Sequence, residues 1–153
     1  MILMRPYTSK DSTKLSQAIN QVCADTPWMS TRSFIPTDSW VHAMDMEDCH
    51  YHRLLVADSN GEIVGWCRSF PAACGVLPSH AELGIGLLAQ HRNQGFGTEL
   101  IMRSLEWAEA AGLQKVDLTV SLRNSIAFHV FEKCGFEPAS AQGNKMLMTI
   151  CLS

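Results

Sequence analysis

Seven consecutive residues, Arg92-Asn93-Gln94-Gly95-Phe96-Gly97-Thr98, form a glycine-punctuated turn between an apolar run and the start of a helical pattern. The chemistry such a turn performs is anion binding. The first backbone N–H groups of a helix lack intrahelical partners and sit at the positive end of its dipole, so they hold a phosphate well. Glycines at 95 and 97 remove the side chains that would keep a pyrophosphate away from those groups. An ordinary strand-to-helix turn uses the same letters. The residues beyond Thr98 decide between the two.

Downstream of the turn the pattern is regular. Phe96, Leu100, Ile101, Leu105, Ala108 and Ala111 recur at helical spacing, Glu99 and Arg103 stand at i,i+4 on the outer side, and Gly112 supplies the stop. Residues 116–120, Val-Asp-Leu-Thr-Val, read as a strand. A second helix then runs through residues 125–134, with Asn124 or Ser125 as its N-cap and apolar residues at 126, 127, 130, 131 and 134. Gly135 ends it, with an apolar Phe136 next in the chain.

Arg92-x-x-Gly95-x-Gly97, and at this distance Asn124-x-x-Ala127-x-x-x-Phe131-Glu132-Lys133-x-Gly135-Phe136, resemble the two cofactor motifs of the GNAT superfamily of N-acetyltransferases. The resemblance reaches most of the chain, because Met4-Arg5-Pro6-Tyr7 and then Asp11 are similar to that family's first strand and helix start. It implies one α/β domain over residues 1–153, with a central, mixed, splayed sheet of about six or seven strands flanked by about four helices. It also implies acetyl-CoA as acyl donor and direct attack by a primary amine in a ternary complex. A small molecule, an antibiotic, an amino acid or a peptide N-terminus all fit as acceptor. A donor other than acetyl-CoA, or a coenzyme A module with little catalysis, are the rival readings.

Residue by residue, the resemblance puts the pyrophosphate on Arg92, Asn93, Gln94, Gly95, Phe96, Gly97 and Thr98. The pantetheine arm lies along Ile85, Gly86, Leu87 and Leu88, with Asn124, Ala127, Phe128 and Phe131 beside it. The backbone N–H of Leu87 or Leu88 is the donor to the thioester oxygen, the type of fixed dipole that stabilises developing charge. Ala89-Gln90 replaces the proline usual before the turn. Two further positions depart from the pattern. Phe131 stands where many members carry the tyrosine that protonates the leaving thiolate, and Thr119 stands where members that acetylate protein N-termini carry a glutamate base. Cys134 shares the helical face of Phe131, but a buried thiol is its expected role, and His129 is expected at the surface.

Glu82 is the remaining candidate base. Strand alternation puts it on one face with Gly84 and Gly86, and desolvation beside an apolar ligand suits a carboxylate to accept a proton. A solvated residue at a strand start explains it as well. Gly84-Ile85-Gly86-Leu87-Leu88-Ala89 matches a dinucleotide fingerprint by letters alone, since its glycines fall inside the strand rather than at a helix start. They are expected to mark a close approach of backbone to ligand.

Composition narrows the rest. A chain of 153 residues, 46% hydrophobic, suits one domain with a sizeable core. No apolar run approaches the ~20 residues of a membrane helix. Met1-Ile2-Leu3-Met4 is too short for a signal core, so the expected address is the cytoplasm. A net charge of −3 offers no stripe for nucleic acid. The cysteines at 23, 49, 67, 74, 134 and 151 include no Cys-x-x-Cys pair, which predicts reduced thiols and no metal site. A homodimer is compatible with all of this.

The remaining elements are predicted as a strand at 3–7, a helix at 10–22, an irregular stretch at 25–37 and a short helix at 37–48. A hairpin comes next, with strands 53–57 and 62–70, and strand 81–88 joins it. Strands 136–139 and 145–152 come last, the final one apolar on both faces and therefore internal. Trp28, Phe34, Trp40, His50, Tyr51 and the run Asp45-Met46-Glu47-Asp48 are the acceptor-side candidates. Aromatics beside carboxylates suit a cationic amine.

Overall fold

The computed structural model describes residues 1–26, 38–45, 52–71 and 80–152. Strand β1 (Ile2–Pro6) leads through a 3-10 turn into α1 (Ser12–Asp25), and α2 (Asp38–Asp45) precedes the hairpin β2 (Arg53–Ser59) and β3 (Glu62–Pro71). Then come β4 (His80–Leu87), α3 (Phe96–Ala110), β5 (Lys115–Ser121), α4 (Ser125–Lys133), β6 (Glu137–Gln142) and β7 (Lys145–Cys151). The seven strands form one sheet in the order β1-β2-β3-β4-β5-β7-β6. Every pairing is antiparallel except that of β4 with β5.

Apolar alternation divides the core into two layers. One face buries Leu55, Cys67, Leu83, Val116, Leu118 and Met148 together with Leu100, Ile101 and Leu105 of α3 and Phe131 of α4. The other buries Leu54, Val56, Trp66 and Phe70 beneath Leu15, Ile19 and Val22 of α1 and Trp40 of α2. Leu15, Ile19 and Val22 therefore form the inner face of the first helix. The final strand is internal as expected, held between β5 and β6.

Two boundaries differ from the sequence-based reading by three residues. Helix α1 continues three residues past Val22 to Asp25. Strand β6 runs to Gln142 rather than 139, although all six of its residues are exposed. It carries no periodicity because its existence depends on the ladder with β7, and as the sheet's edge it tolerates Pro138 at a register slip. The predicted irregular stretch, from residue 27 on, and the predicted end of the second helix at 46–48 lie outside the described residues.

The start of the chain is tied by an ion pair. Arg5 donates to both carboxylate oxygens of Asp11, at 2.8 and 2.7 Å, and its Nε reaches Asp58 at 3.1 Å. The Thr8 backbone N–H donates to Asp11 at 2.8 Å. These bonds, the Arg5 guanidinium foremost, hold the Asp11 carboxyl below its usual 3.8 despite burial. A depressed carboxyl contributes its stability above the unfolded-state value and loses it as pH falls through the folded one. Asp11→Asn is therefore expected to cost about 2 kcal/mol near neutrality. The difference from the parent should begin to shrink as pH falls below about 3.8 and vanish only below the depressed folded-state value, where protonation does to the parent what the substitution does to the variant.

Candidate cofactor cleft

The sheet forks in its middle. Strands β4 and β5 pair only at His80–Lys115, Ala81–Val116 and Glu82–Asp117, after which both continue without pairing to each other. The register of β4 against β3, together with the Leu88 N–H donating to the Val64 carbonyl at 2.9 Å, fixes which groups face the gap. Antiparallel alternation turns the main-chain groups of Gly86 and Leu88 toward β3 and those of Ile85 and Leu87 toward the fork. Leu88 is thus corrected as a donor, because its N–H is already used. The main-chain groups of Gly86 are used in the same way although the residue lines the cleft, whereas those of Ile85 and Leu87 face the gap, where no strand among the described residues pairs with them. The carbonyl of Leu87 accepts from Arg92 Nε at 3.0 Å.

A cleft of about 780 Å³ passes through this fork. On the side of α1 and α2 it is lined by Trp40, Arg68 and Glu82, and on the side of α3 and α4 by Asn124, Ala127 and Phe131. The glycine turn stands at its rim. Gly95 is the N-cap of α3 with φ +88°, a conformation that L side chains rarely adopt. The first α3 bond comes back from Glu99 N–H to the Gly95 carbonyl at 3.1 Å, so the N–H groups of Phe96, Gly97 and Thr98 precede it. A Cβ on Gly97 would meet Leu87 Cδ1 at 3.5 Å and Ile85 Cδ1 at 3.9 Å, which is ordinary contact. Neither backbone strain nor packing requires glycine at 97, so the open face of the turn is the feature it preserves.

Of the predicted cofactor residues, Arg92 lines the cleft while Leu88, Gln94, Phe96 and Phe128 do not. Arg92 points inward, with Nη2 on Thr26 Oγ1 at 3.3 Å, and fastens the end of β4 to the end of α1. Gln94 donates to the Gln90 carbonyl at 2.9 Å. Phe96 packs against the core, as does Phe128 beside His129, and neither lines the cleft. Val130, one residue before Phe131, lines it instead. That exchange reflects helix phase, because Phe128 is two residues and thus about 200° around the helix from Val130, which faces the cleft.

Asn124 caps α4, its Oδ1 accepting from Ala127 N–H at 3.2 Å. Asn124→Ala should lower stability by about 1 kcal/mol through loss of that bond. Calorimetric titration of coenzyme A separates this role from ligand contact, since a pure cap leaves affinity unchanged. Phe131 is buried against Phe136, ring centroids 6.1 Å apart. Cys134 is a buried thiol whose pKa burial raises, and it does not line the cleft. Thr119 does line it.

On the α1 side Gly84 and Gly86 line the cleft and also have a packing reason. A Cβ on Gly86 would overlap the Trp66 indole, and one on Gly84 would come within 2.7 Å of Arg68 Nε. Both glycines make room for side chains of the neighbouring strand. Arg68 itself was not legible as a site residue, although Trp66-x-Arg68-x-Phe70 places a cation on an apolar strand face. It lies 5.9 Å from the Trp40 ring centroid and 5.2 Å from that of Phe70, and contacts Glu82 at 3.4 Å. Glu82 lines the cleft with its side chain 62% exposed, so this structure does not bury it. Of the other acceptor-side candidates, Trp28, Phe34, His50, Tyr51 and residues 46–48 lie outside the described residues, and the side chain of Asp45 is likewise not described.

Residues 19–136 match the model of the acetyltransferase (GNAT) family. A spermidine N(1)-acetyltransferase of Vibrio cholerae is 27% identical over 107 residues, which are 66% of this chain and 61% of that protein. The chain thus matches less than two thirds of that relative's length. The GNAT-family acetyltransferase of Streptococcus pneumoniae superposes with a TM-score of 0.87 at 25% identity, covering all of both chains. The protein yncA of Salmonella typhimurium, determined with its cofactor acetyl-CoA, superposes with a TM-score of 0.84 at 15% identity, over 100% of this chain and 95% of the other. The forked sheet and the family match identify the chain as a member of the GNAT acetyltransferase family. No helix among the described residues is long and apolar enough to cross a membrane.

Proposed function

We propose that this protein is an acetyl-CoA-dependent N-acetyltransferase with a primary amine as acceptor. The observation that carries the reading is the fork: Ile85 and Leu87 turn N–H groups that no strand among the described residues pairs toward a cleft whose rim is the open N-terminus of α3. An amide-bearing chain ending in a pyrophosphate fits both features, the amides in the gap and the phosphates on the turn. The cofactor bound to the Salmonella neighbour has this chemistry.

Acetyl-CoA supplies an acetyl thioester, and transfer forms the amide C–N bond as the C–S bond breaks. The N–H of Ile85 or Leu87 donates to the carbonyl oxygen as it gains charge. Glu82 takes the proton that the amine loses, directly or through water. Phe131 has no proton to give, so the leaving thiolate, with a free pKa near ~8.5, takes one from solvent. The described cysteines are free thiols, which suits a reducing compartment such as the cytoplasm. A thiol-release assay over a panel of amines tests the reading. Tight coenzyme A binding with no turnover on any amine would reduce the protein to a binding module, and faster release from another acyl-CoA would reassign the donor.

A further inference from the structure

We infer that the acceptor is a zwitterionic amine, a free α-amino acid or a close analogue, whose carboxylate sits on Arg68 and whose amine sits on Glu82. This rests on the acetyl-transfer reading above and names its substrate class. Arg68 is a built feature of the cleft. Its guanidinium lies beside the Trp40 and Phe70 rings, and Gly84 is the residue that leaves space for it, since a Cβ there would fall 2.7 to 3.0 Å from Nε, Cζ and Nη2. The group is held in place by packing and keeps most of its hydrogen-bonding capacity. Among the described residues its hydrogen-bond partner is Glu82, through one contact at 3.4 Å. Such a long single contact leaves the planar fork of the guanidinium open to a bidentate carboxylate.

Charge decides the class of acceptor. The aromatic surface that a cationic amine would use, Trp40 with Phe70, is already occupied by a cation of the protein. A diamine or polyamine would bring a second positive charge beside Arg68, with Glu82 the one carboxylate among the described residues lining the cleft. An α-amino acid carries opposite charges on adjacent carbons. That spacing matches a guanidinium and a carboxylate 3.4 Å apart, each charge of the ligand meeting the opposite charge of the protein. Glu82 also stands three residues from Ile85 on β4, about 10 Å along the strand. An amine held at Glu82 is therefore on the near side of the first N–H that faces the fork.

The test compares amino acids with the amines left by removing their carboxylate, for example methionine with 3-(methylthio)propylamine and phenylalanine with phenethylamine, with spermidine as the polyamine. Initial rates of thiol release at saturating acetyl-CoA give kcat/KM for each. The expectation is that at least one amino acid exceeds its decarboxylated partner by roughly 10- to 100-fold. Arg68→Met should erase that ratio by raising KM for the amino acid, and Arg68→Lys should restore part of it. Coenzyme A affinity and the melting temperature report whether these variants are folded. Equal rates in both series, a preference for spermidine, or an unchanged ratio in folded Arg68→Met overturns the acceptor assignment while leaving acetyl transfer in place. Turnover of no amine at all, with coenzyme A bound, overturns the transfer reading and this assignment with it.

Discussion

Gly97→Asp is expected to weaken coenzyme A binding by roughly 10²- to 10³-fold without unfolding the protein. A Cβ at 97 meets only the tips of Leu87 and Ile85 at ordinary contact distances, so the fold accommodates it. The carboxylate, however, enters the space in front of the N–H groups that open α3. There it repels a pyrophosphate, at about 3 to 4 kcal/mol for unit charges some 4 to 5 Å apart at an effective dielectric of 20. It also competes for the same donors. Isothermal titration of coenzyme A gives the affinity, with thermal melting as the control for folding. Unchanged affinity in a folded variant would move the phosphate site away from this turn. Gly95 is a poorer place for the same experiment, because its φ of +88° makes any side chain there a backbone perturbation as well.

Glu82→Gln is expected to lower kcat/KM by roughly 10²-fold at neutral pH, the low end of general-base effects, while leaving coenzyme A affinity intact. The amide is isosteric and still accepts a hydrogen bond from Arg68, so the pair's geometry survives and only proton acceptance is lost. The defect should shrink with rising pH, because a growing fraction of the amine is then neutral and needs no base. Wild-type rates across pH 6 to about 9 would mean that solvent takes the proton. Transfer would then rest on proximity and the backbone N–H groups alone.

The parts of the site written in local pattern were legible from the sequence, and the parts made by contact between distant strands were not. Gly95, Asn124 and the two helices after them follow from turn and cap chemistry, which acts over a few residues. The fork was expected on the family resemblance, and the register of β4 then decides what no pattern in 81–88 states, that Ile85 and Leu87 face the gap while Gly86 and Leu88 face β3. Gly84 and Gly86 were read toward a ligand and do line the cleft, yet they also make room for Arg68 and Trp66, side chains from a strand that precedes them by about 18 residues. The exposed strand β6 is read three residues short, at 136–139, because its only reason to be extended is β7. Phe128 came with the family resemblance, whereas in this structure Val130 lines the cleft.

The narrow junction between β4 and β5 also makes the sheet two wings on one short hinge, since three residue pairs alone join β1–β4 to β5–β7 along that seam. A ligand whose amides fill the seam would act as a missing strand and tie the two wings together there as the shared core beneath α3 already does. Stability is then tied to metabolic supply: at a hundred times the dissociation constant, binding adds about 2.7 kcal/mol. Added coenzyme A should therefore raise the melting temperature as its concentration climbs past the dissociation constant for the seam.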